Sequence, residues 1–418
     1  MSSLFRSVPA FLPMQYYTSL AVFLFGAITL IVPSGYSLGA GLLLLGSVVL
    51  ILNRQHVALG RDDWCIIAVM LAYALIWMTE SLIDGQGTSG LDKPSRFLFA
   101  LPAMLLLMTY PPRQAALWSG AAVGALSSGG WASWQKLVEG EWRAGGFTYV
   151  IQFGNISMLL GILCLAGLGW AVVQARAKWW VTFLLLGALG GILGSLFSGS
   201  RGGWVGIPFI MLVLYRGYGR DLPTKFKLGV IAIVLVGAGS VYALPQTGVQ
   251  ERSKEAFSDV SRYLSGESQT SSVGARFEMW KGALHLIQEK PLVGWGSNGY
   301  HEAMLELSEQ GVVNRYVAQR YDHAHNEFID ATAKRGVIGL MALLALYLVP
   351  MTLFARQIHA ANLEVRALAV AGVLLPVAYI DFGLTQTLME HNSGVMVYAF
   401  WLVVLWAQFR VTKRNNQR

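Results

Sequence analysis

Charge is scarce in this chain. Asp, Glu, Lys and Arg make up 13% of its 418 residues, where a soluble domain carries about 25%. A fully solvated globular surface cannot be built from so few ionic groups. Cysteine is nearly absent: Cys65 and Cys164 both fall inside apolar stretches, which excludes a disulfide framework and a cysteine-based metal site. Residues 1–16 lack a cleavable signal pattern, so the first apolar stretch reads as a retained anchor. There is no internal repeat and no low-complexity tract. No P-loop, no Gly-x-Ser-x-Gly elbow and no dinucleotide fingerprint occurs in a setting where it would carry chemistry.

What the chain has is apolar length. Hydrophobic residues make up 55% of it, and its mean hydropathy is +0.51. Crossing the hydrocarbon core of about 30 Å takes about 20 mostly apolar residues. Such stretches fall near 17–33, 36–53, 64–83, 95–111, 115–133, 153–174, 179–198, 202–216, 226–245, 336–355, 365–385 and 391–411, about twelve in all. They are too long for barrel strands, and backbone in lipid must bond internally, so they read as helices. The expected fold is all-α and polytopic.

Orientation follows from the basic residues. Arg54, Arg61, Arg113, Arg176, Lys178, Arg216, Arg220, Lys225, Lys227, Arg356, Arg366 and the tail Arg410, Lys413, Arg414 and Arg418 all lie in loops of one side. That side reads as cytoplasmic and holds both termini. The formal net charge of +8 is therefore assigned to topology and anionic lipid, with no nucleic acid implied.

Three parts follow: spans one to nine over 1–245, an outward-facing insert over 246–335, and spans ten to twelve with the tail over 336–418. Within the insert, Phe277, Trp280, Leu284 and Ile287 form an amphipathic stripe over 276–289. Pro291 and Gly294-Trp-Gly296 break it, and a second helix is expected over 301–309. Residues 246–272, rich in Ser, Gln and Glu, read as a linker. The insert is expected to be a small helical cap on the membrane surface. The glycine-rich runs 124–130 and 187–194 read as close helix packing.

Ionisable groups in so apolar a chain are costly unless used. Arg201 lies in Ser198-Gly-Ser-Arg-Gly-Gly-Trp204. The small neighbours let a ligand approach the backbone, and a guanidinium fork matches two phosphate oxygens; a snorkelling helix-end arginine is the plainer alternative. Arg276 opens the amphipathic helix. With Lys93, Arg96, Arg143 and Arg320 it makes the outward side locally basic, and those four are candidates for binding phosphates.

His323 and His325 lie in Tyr321-Asp-His-Ala-His-Asn-Glu-Phe-Ile-Asp330. Asp322 is expected to cap a helix leading to span ten, with His325 in its first turn. There the positive helix end and nearby arginines disfavour imidazolium and keep the ring able to accept a proton. His325 is the candidate base and His323 the second choice. Asn326 is a candidate substrate contact. Gln152 and Asn155 either bond sugars or pack helices. Glu139 and Glu141 form the only close acidic pair in a short outward loop, and an exposed loop explains them. Arginine-based charge neutralisation without a metal or other cofactor is the expectation.

Arg276-Phe-Glu-Met-Trp280, Pro291-Leu-Val-Gly-Trp-Gly296, His325-Asn326 and Ser200-Arg201-Gly202 together resemble the signature of bacterial O-antigen ligases and O-antigen polymerases. The span layout with a large loop between spans nine and ten is similar as well. The resemblance implies a glycosyltransferase-C-like membrane enzyme of the inner membrane, metal-independent and inverting, with its site facing the periplasm. It implies an undecaprenyl-diphosphate-linked O-antigen donor, a lipid A–core acceptor, and Arg201, Arg276 and His325 as the functional set. O-antigen polymerase and protein O-oligosaccharyltransferase are the related alternatives. A lipid-diphosphate transporter is the alternative from another class.

Overall fold

The computed structural model describes residues 11–200, 202–243 and 249–417. The chain is an all-α polytopic membrane protein, with no strand among the described residues. Its helices are α1 (Phe11–Ala27), α2 (Gly35–Leu52), α3 (Arg61–Ile83), α4 (Ser89–Thr109), α5 (Gln114–Leu137), α6 (Val150–Ala171), α7 (Ala177–Ser198), α8 (Ile207–Gly217) and α9 (Thr224–Ala243). The cap follows as α10 (Val249–Leu264), α11 (Ser272–Glu289), α12 (Ser297–Glu309) and α13 (Arg315–Arg320), and the bundle resumes with α14 (Glu327–Ala355), α15 (Leu363–Gly383) and α16 (Asn392–Asn416).

Among the described residues, seven helices are long and apolar enough to cross a membrane: α2, α3, α6, α7, α14, α15 and α16. The expected eighth span is short. α8 holds 11 residues, which at about 1.5 Å per residue covers about half of the hydrocarbon core. α6, α15 and α16 are the most enclosed, and Trp401, Trp406 and Tyr398 of α16 lie in the middle of the bundle core. The glycine-rich runs on α5 and α7 do pack backbone to backbone. A Cβ on Gly129 would stand 2.3 Å from Gly190 O, and one on Gly191 would stand 2.5 Å from Ser157 O.

The cap has its own small core of Ala283, Leu286, Tyr300, Met304, Leu307 and Val313. Two expectations for it need correction. Of the expected linker 246–272, residues 246–248 lie outside the described residues, and 249–264 form the helix α10. Its polar composition hides a short apolar face on which Tyr263 meets Phe277 (ring centroids 5.0 Å) and donates to Glu278 Oε1 (2.8 Å). The helix carrying Arg276 starts earlier than the apolar stripe, because the Ser271 hydroxyl caps it by accepting from Gly274 N–H.

The cap is bolted to the bundle. Glu80 Oε1 accepts from Ser297 N–H (2.9 Å), and Asp84 accepts from Asn298 and Gly299 N–H (2.7 and 3.2 Å), so acids at the end of α3 meet the positive end of α12. The Pro291–Gly296 run lies against a break in α14 at Gly336 (φ 65°). Trp295 and Gly296 N–H donate to Ala333 and Lys334 carbonyls (3.0 and 2.9 Å), and Val337 N–H donates to Pro291 O (2.8 Å). This motif therefore seats the cap. A Cβ on Gly336 would stand 2.0 Å from Leu292 O at a left-handed backbone position. Gly336→Ala should therefore lower thermal stability by more than the roughly 1–2 kcal/mol of left-handed strain alone, and an unchanged melting temperature would contradict this seating.

Candidate active site

Where the cap meets the bundle, a cavity of about 870 Å³ opens, lined among others by Lys93, Gln152, His323, His325, Gln386 and His391. Four separate chain segments supply these groups: the α4 start, the α6 start, the turn before α14 and the loop between α15 and α16.

The turn before α14 differs from the expectation. Asn326, not Asp322, is the helix cap: its Oδ1 accepts from Phe328 and Ile329 N–H (both 3.1 Å), and its Nδ2 donates to Leu384 O (3.1 Å). Asn326 thus holds the turn and is not a cavity group. His325 precedes the cap with φ 47°, a left-handed conformation that costs a non-glycine residue roughly 1–2 kcal/mol. Such strain persists only where the surroundings enforce it. Here the enforcing contacts are the Asn326 cap, Trp280 Nε1 donating to Ala324 O (2.8 Å), and Ala324 N–H donating to Asp330 Oδ1 (2.9 Å).

The His325 ring is oriented by Gln386. The Gln386 Nε2 donates to His391 Nε2 (3.3 Å), which turns its Oε1 toward His325 Nδ1. An amide oxygen only accepts, so Nδ1 carries the proton and Nε2 keeps the lone pair. Burial pushes the His325 pKa down to about 3, with His323 and the Arg276 guanidinium adding to it and the Gln386 bond opposing it. His391 falls to about 4, again chiefly by burial, with His323 and Lys93 adding to it. His323 stands beside His325 (ring centroids 4.3 Å) and bonds Asp322 Oδ1 through Nδ1 (2.7 Å), while its Nε2 is buried without a partner. The bond from His323 holds Asp322 well below the usual carboxylate range, against the opposing effect of burial.

Arg276 stands beside the cavity and does not line it. It is close enough to depress His325, and Tyr321, in edge contact with the His325 ring (5.6 Å), also acts electrostatically on Arg276. Arg276 is largely buried, which lowers its own pKa. It has no carboxylate partner among the described residues. A largely buried guanidinium with no carboxylate beside it among the described residues is a place for an anion.

Arg201 lies outside the described residues. Its neighbours are packed against the site: Ser200 Oγ donates to Asn155 Oδ1 (3.2 Å), and a Cβ on Gly202 would stand 1.7 Å from Thr385 Oγ1, one residue before Gln386.

The other candidates divide. Lys93 lines the cavity but pairs with Glu390 (3.0 Å). Arg96 pairs with Asp92 (2.6 Å) and braces the backbone of Asn392 (2.9 Å). Arg143 donates to Ser198 O (2.8 Å) and ties its loop to the end of α7. Arg320 is exposed over the Tyr316 ring (5.8 Å). None of these last three lines the cavity. Glu139 accepts from Trp134 Nε1 (3.1 Å) on the surface. Among the described residues, no three His, Cys, Asp or Glu side chains are arranged to hold a metal ion.

Sequence reasoning missed Gln386, His391 and Glu390. Sequence patterning assigned the 385–391 segment no role, although a glutamine, an acid and a histidine at a span edge were a usable signal. It also missed a buried charge network below the cavity. Lys334 pairs with Asp330 (3.2 Å) and Glu390 (3.6 Å), and Arg335 with Glu80 (3.7 Å) and Glu390 (3.8 Å). Burial pushes the Glu390 carboxyl up, but Lys334, Lys93 and Arg335 outweigh it and hold the group ionised.

Residues 186–344 match a family model described as O-antigen ligase. That segment holds Arg201, Arg276, His323 and His325 and excludes Lys93, Gln152, Gln386 and His391. The chain is 28% identical over 389 residues to an uncharacterized protein of Haemophilus influenzae, covering 92% of this chain and 96% of that one. It is 24% identical over 210 residues to a protein of Escherichia coli described as an O-antigen ligase, covering 50% of this chain and 46% of that one.

Proposed function

We propose, from the premise that residues 186–344 carry the O-antigen ligase family region, that this chain transfers a lipid-linked saccharide to an acceptor hydroxyl. The donor is the saccharide on undecaprenyl diphosphate, and the acceptor is a sugar hydroxyl of lipid A–core. The observation that supports this best is an uncharged, oriented imidazole in a cavity between the cap and an apolar bundle, with the Arg276 guanidinium, which has no carboxylate partner among the described residues, close beside it. Family resemblance supplies the substrate class.

In this mechanism the acceptor oxygen attacks the anomeric carbon as its proton passes to His325 Nε2. The bond from that carbon to the diphosphate breaks, its electron pair leaves on the diphosphate oxygen, and configuration inverts. Arg276 and, from the sequence, Arg201 stabilise the charge on that oxygen. Gln386 keeps the base in the tautomer that can accept. The reaction needs no metal in this reading.

The depressed His325 pKa couples the base to the donor. Burial is the main cause of that depression; the part added by the Arg276 guanidinium is neutralised when the diphosphate binds, which raises the basicity of Nε2 as the substrate arrives. The acid limb of kcat should therefore lie at higher pH than that of kcat/KM, since the first reports the complex and the second the free enzyme. Coincident limbs would remove this coupling. Stability follows the opposite-sided rule for a lowered histidine pKa. The unfolded chain takes up a proton below about 6.5 that folded His325 refuses until about 3, so stability falls as pH drops through that window.

A second reading makes His323 the base, because Asp322 orients it and its Nε2 is unpartnered. Orientation in the membrane belongs to the proposal too. α3 runs from Asp62, bonded by Arg356 (3.2 Å), to Glu80 and Asp84, which hold the cap. The basic end reads as cytoplasmic, together with both termini, and the cap as periplasmic on a bacterial inner membrane.

The test is to incubate purified protein in EDTA with undecaprenyl-diphosphate glycan and, in parallel, lipid A–core, a second lipid-linked glycan, and a protein acceptor. Transfer to lipid A–core is expected. Product with the second or third acceptor alone would make the chain a polymerase or a protein O-oligosaccharyltransferase, and loss of activity restored by Mg²⁺ would end the metal-free mechanism.

A further inference from the structure

α6 begins on the cavity wall. Its N-cap residue Tyr149 is extended (φ −61°, ψ 142°) and supplies no capping side chain. The N–H groups of Val150, Ile151 and Gln152 donate to no acceptor among the described residues, and all three residues line the cavity. First-turn amides of a 22-residue helix carry the positive end of its dipole. A second observation is independent of the helix. Gln152 is 0% exposed, yet neither its Oε1 nor its Nε2 has a partner among the described residues. The neighbouring Thr148 Oγ1 is also buried and unpartnered. Buried polar atoms in folded proteins are nearly always bonded, so helix packing does not explain this pair.

The surrounding charges suit an anion. Lys93 and Lys334 line the cavity. Its two acids, Glu390 and Asp322, are both engaged: Glu390 by Lys93, Lys334 and Arg335, Asp322 by His323.

We propose that the α6 N-terminus, with Thr148 and Gln152, is a cradle for phosphoryl oxygens on the wall of the cavity that holds His325. The inference rests on the function proposed above and deepens it. Backbone amides, the Gln152 amide nitrogen and the Thr148 hydroxyl all donate, as they do to phosphate at helix N-termini generally. The phosphoryl group is that of the donor diphosphate or a phosphate carried by the acceptor.

The experiment measures binding by the full-length purified protein, with no transfer step. Probes are farnesyl diphosphate, farnesol and a soluble hexose phosphate. Wild-type protein should bind farnesyl diphosphate and not farnesol. Gln152→Leu and Thr148→Val should each weaken that binding by about tenfold, the scale of one hydrogen bond to a charged group. Their melting temperatures should be unchanged or raised, because the lost groups bond to nothing among the described residues. Weakening toward the hexose phosphate and not the prenyl diphosphate assigns the cradle to the acceptor and still supports it. Wild-type affinity for both phosphates in the double variant would overturn the cradle while leaving the proposed reaction standing. A wild-type protein that binds neither phosphate would overturn both. Thr148→Val preserves side-chain shape and carries the test if Gln152→Leu does not fold.

Discussion

Replacing His325 by alanine should lower transfer by about 10²–10⁴-fold, the usual scale of a positioned general base, with donor binding intact. The ring contributes little to the fold, because Asn326 makes the cap bonds of α14 and Trp280 and Asp330 hold the turn. Its backbone sits at φ 47°, which glycine adopts without penalty. His325→Gly should therefore match or exceed the wild-type melting temperature while losing the same activity. That pairing separates chemistry from folding. The same measurement decides between the two histidines. If His325→Ala keeps near-normal turnover and His323→Ala does not, the Asp322–His323 pair is the base and His325 only shapes the cavity. Gln386→Leu should resemble a milder His325→Ala, since the ring then loses the acceptor that fixes its tautomer.

The second large effect concerns stability. Arg335→Leu should cost about 3–5 kcal/mol, the scale for removing one partner of a buried ion pair. Arg335 is 2% exposed, lies over the Trp77 ring (4.6 Å), and faces both Glu80 and Glu390. Its loss leaves two buried carboxylates short of positive charge at the joint where α3, α14 and the 385–390 loop meet. Arg335→Leu combined with Glu80→Gln should recover part of that loss, since the stranded charge is removed with its partner. Additive effects of the two changes would show that the ion pair is not the cause. Because Glu80 also bonds Ser297 N–H (2.9 Å), the variants should loosen the cap before the bundle unfolds, which hydrogen exchange over 297–309 would detect.

The bundle was legible in the sequence because apolar length is a local property, and so was the cap, because the hydropathy falls where it begins. The glycine runs announced close packing for the same reason. α10 was not legible: its helix is held by a narrow stripe that meets α11, and composition alone resembled a linker. The candidate site was half legible. His323, His325, Lys93 and Gln152 were singled out in the sequence, and the structure brings these four to one cavity. Gln386 was missed because its role exists only through contact with His325, 61 positions away, and His391 because it acts through Gln386. The Pro291–Gly296 motif shows the converse. It is distinctive in sequence, and the structure gives it the job of fitting the cap onto the break at Gly336.

The most direct test of the central claim is an experimentally determined structure with a prenyl diphosphate bound. The account predicts its phosphates within hydrogen-bond reach of Arg276, its lipid tail running into the bundle, and the position of the transferable sugar facing His325 Nε2. A diphosphate seated elsewhere, with Arg276 and His325 pointing away from it, would contradict the account at its base.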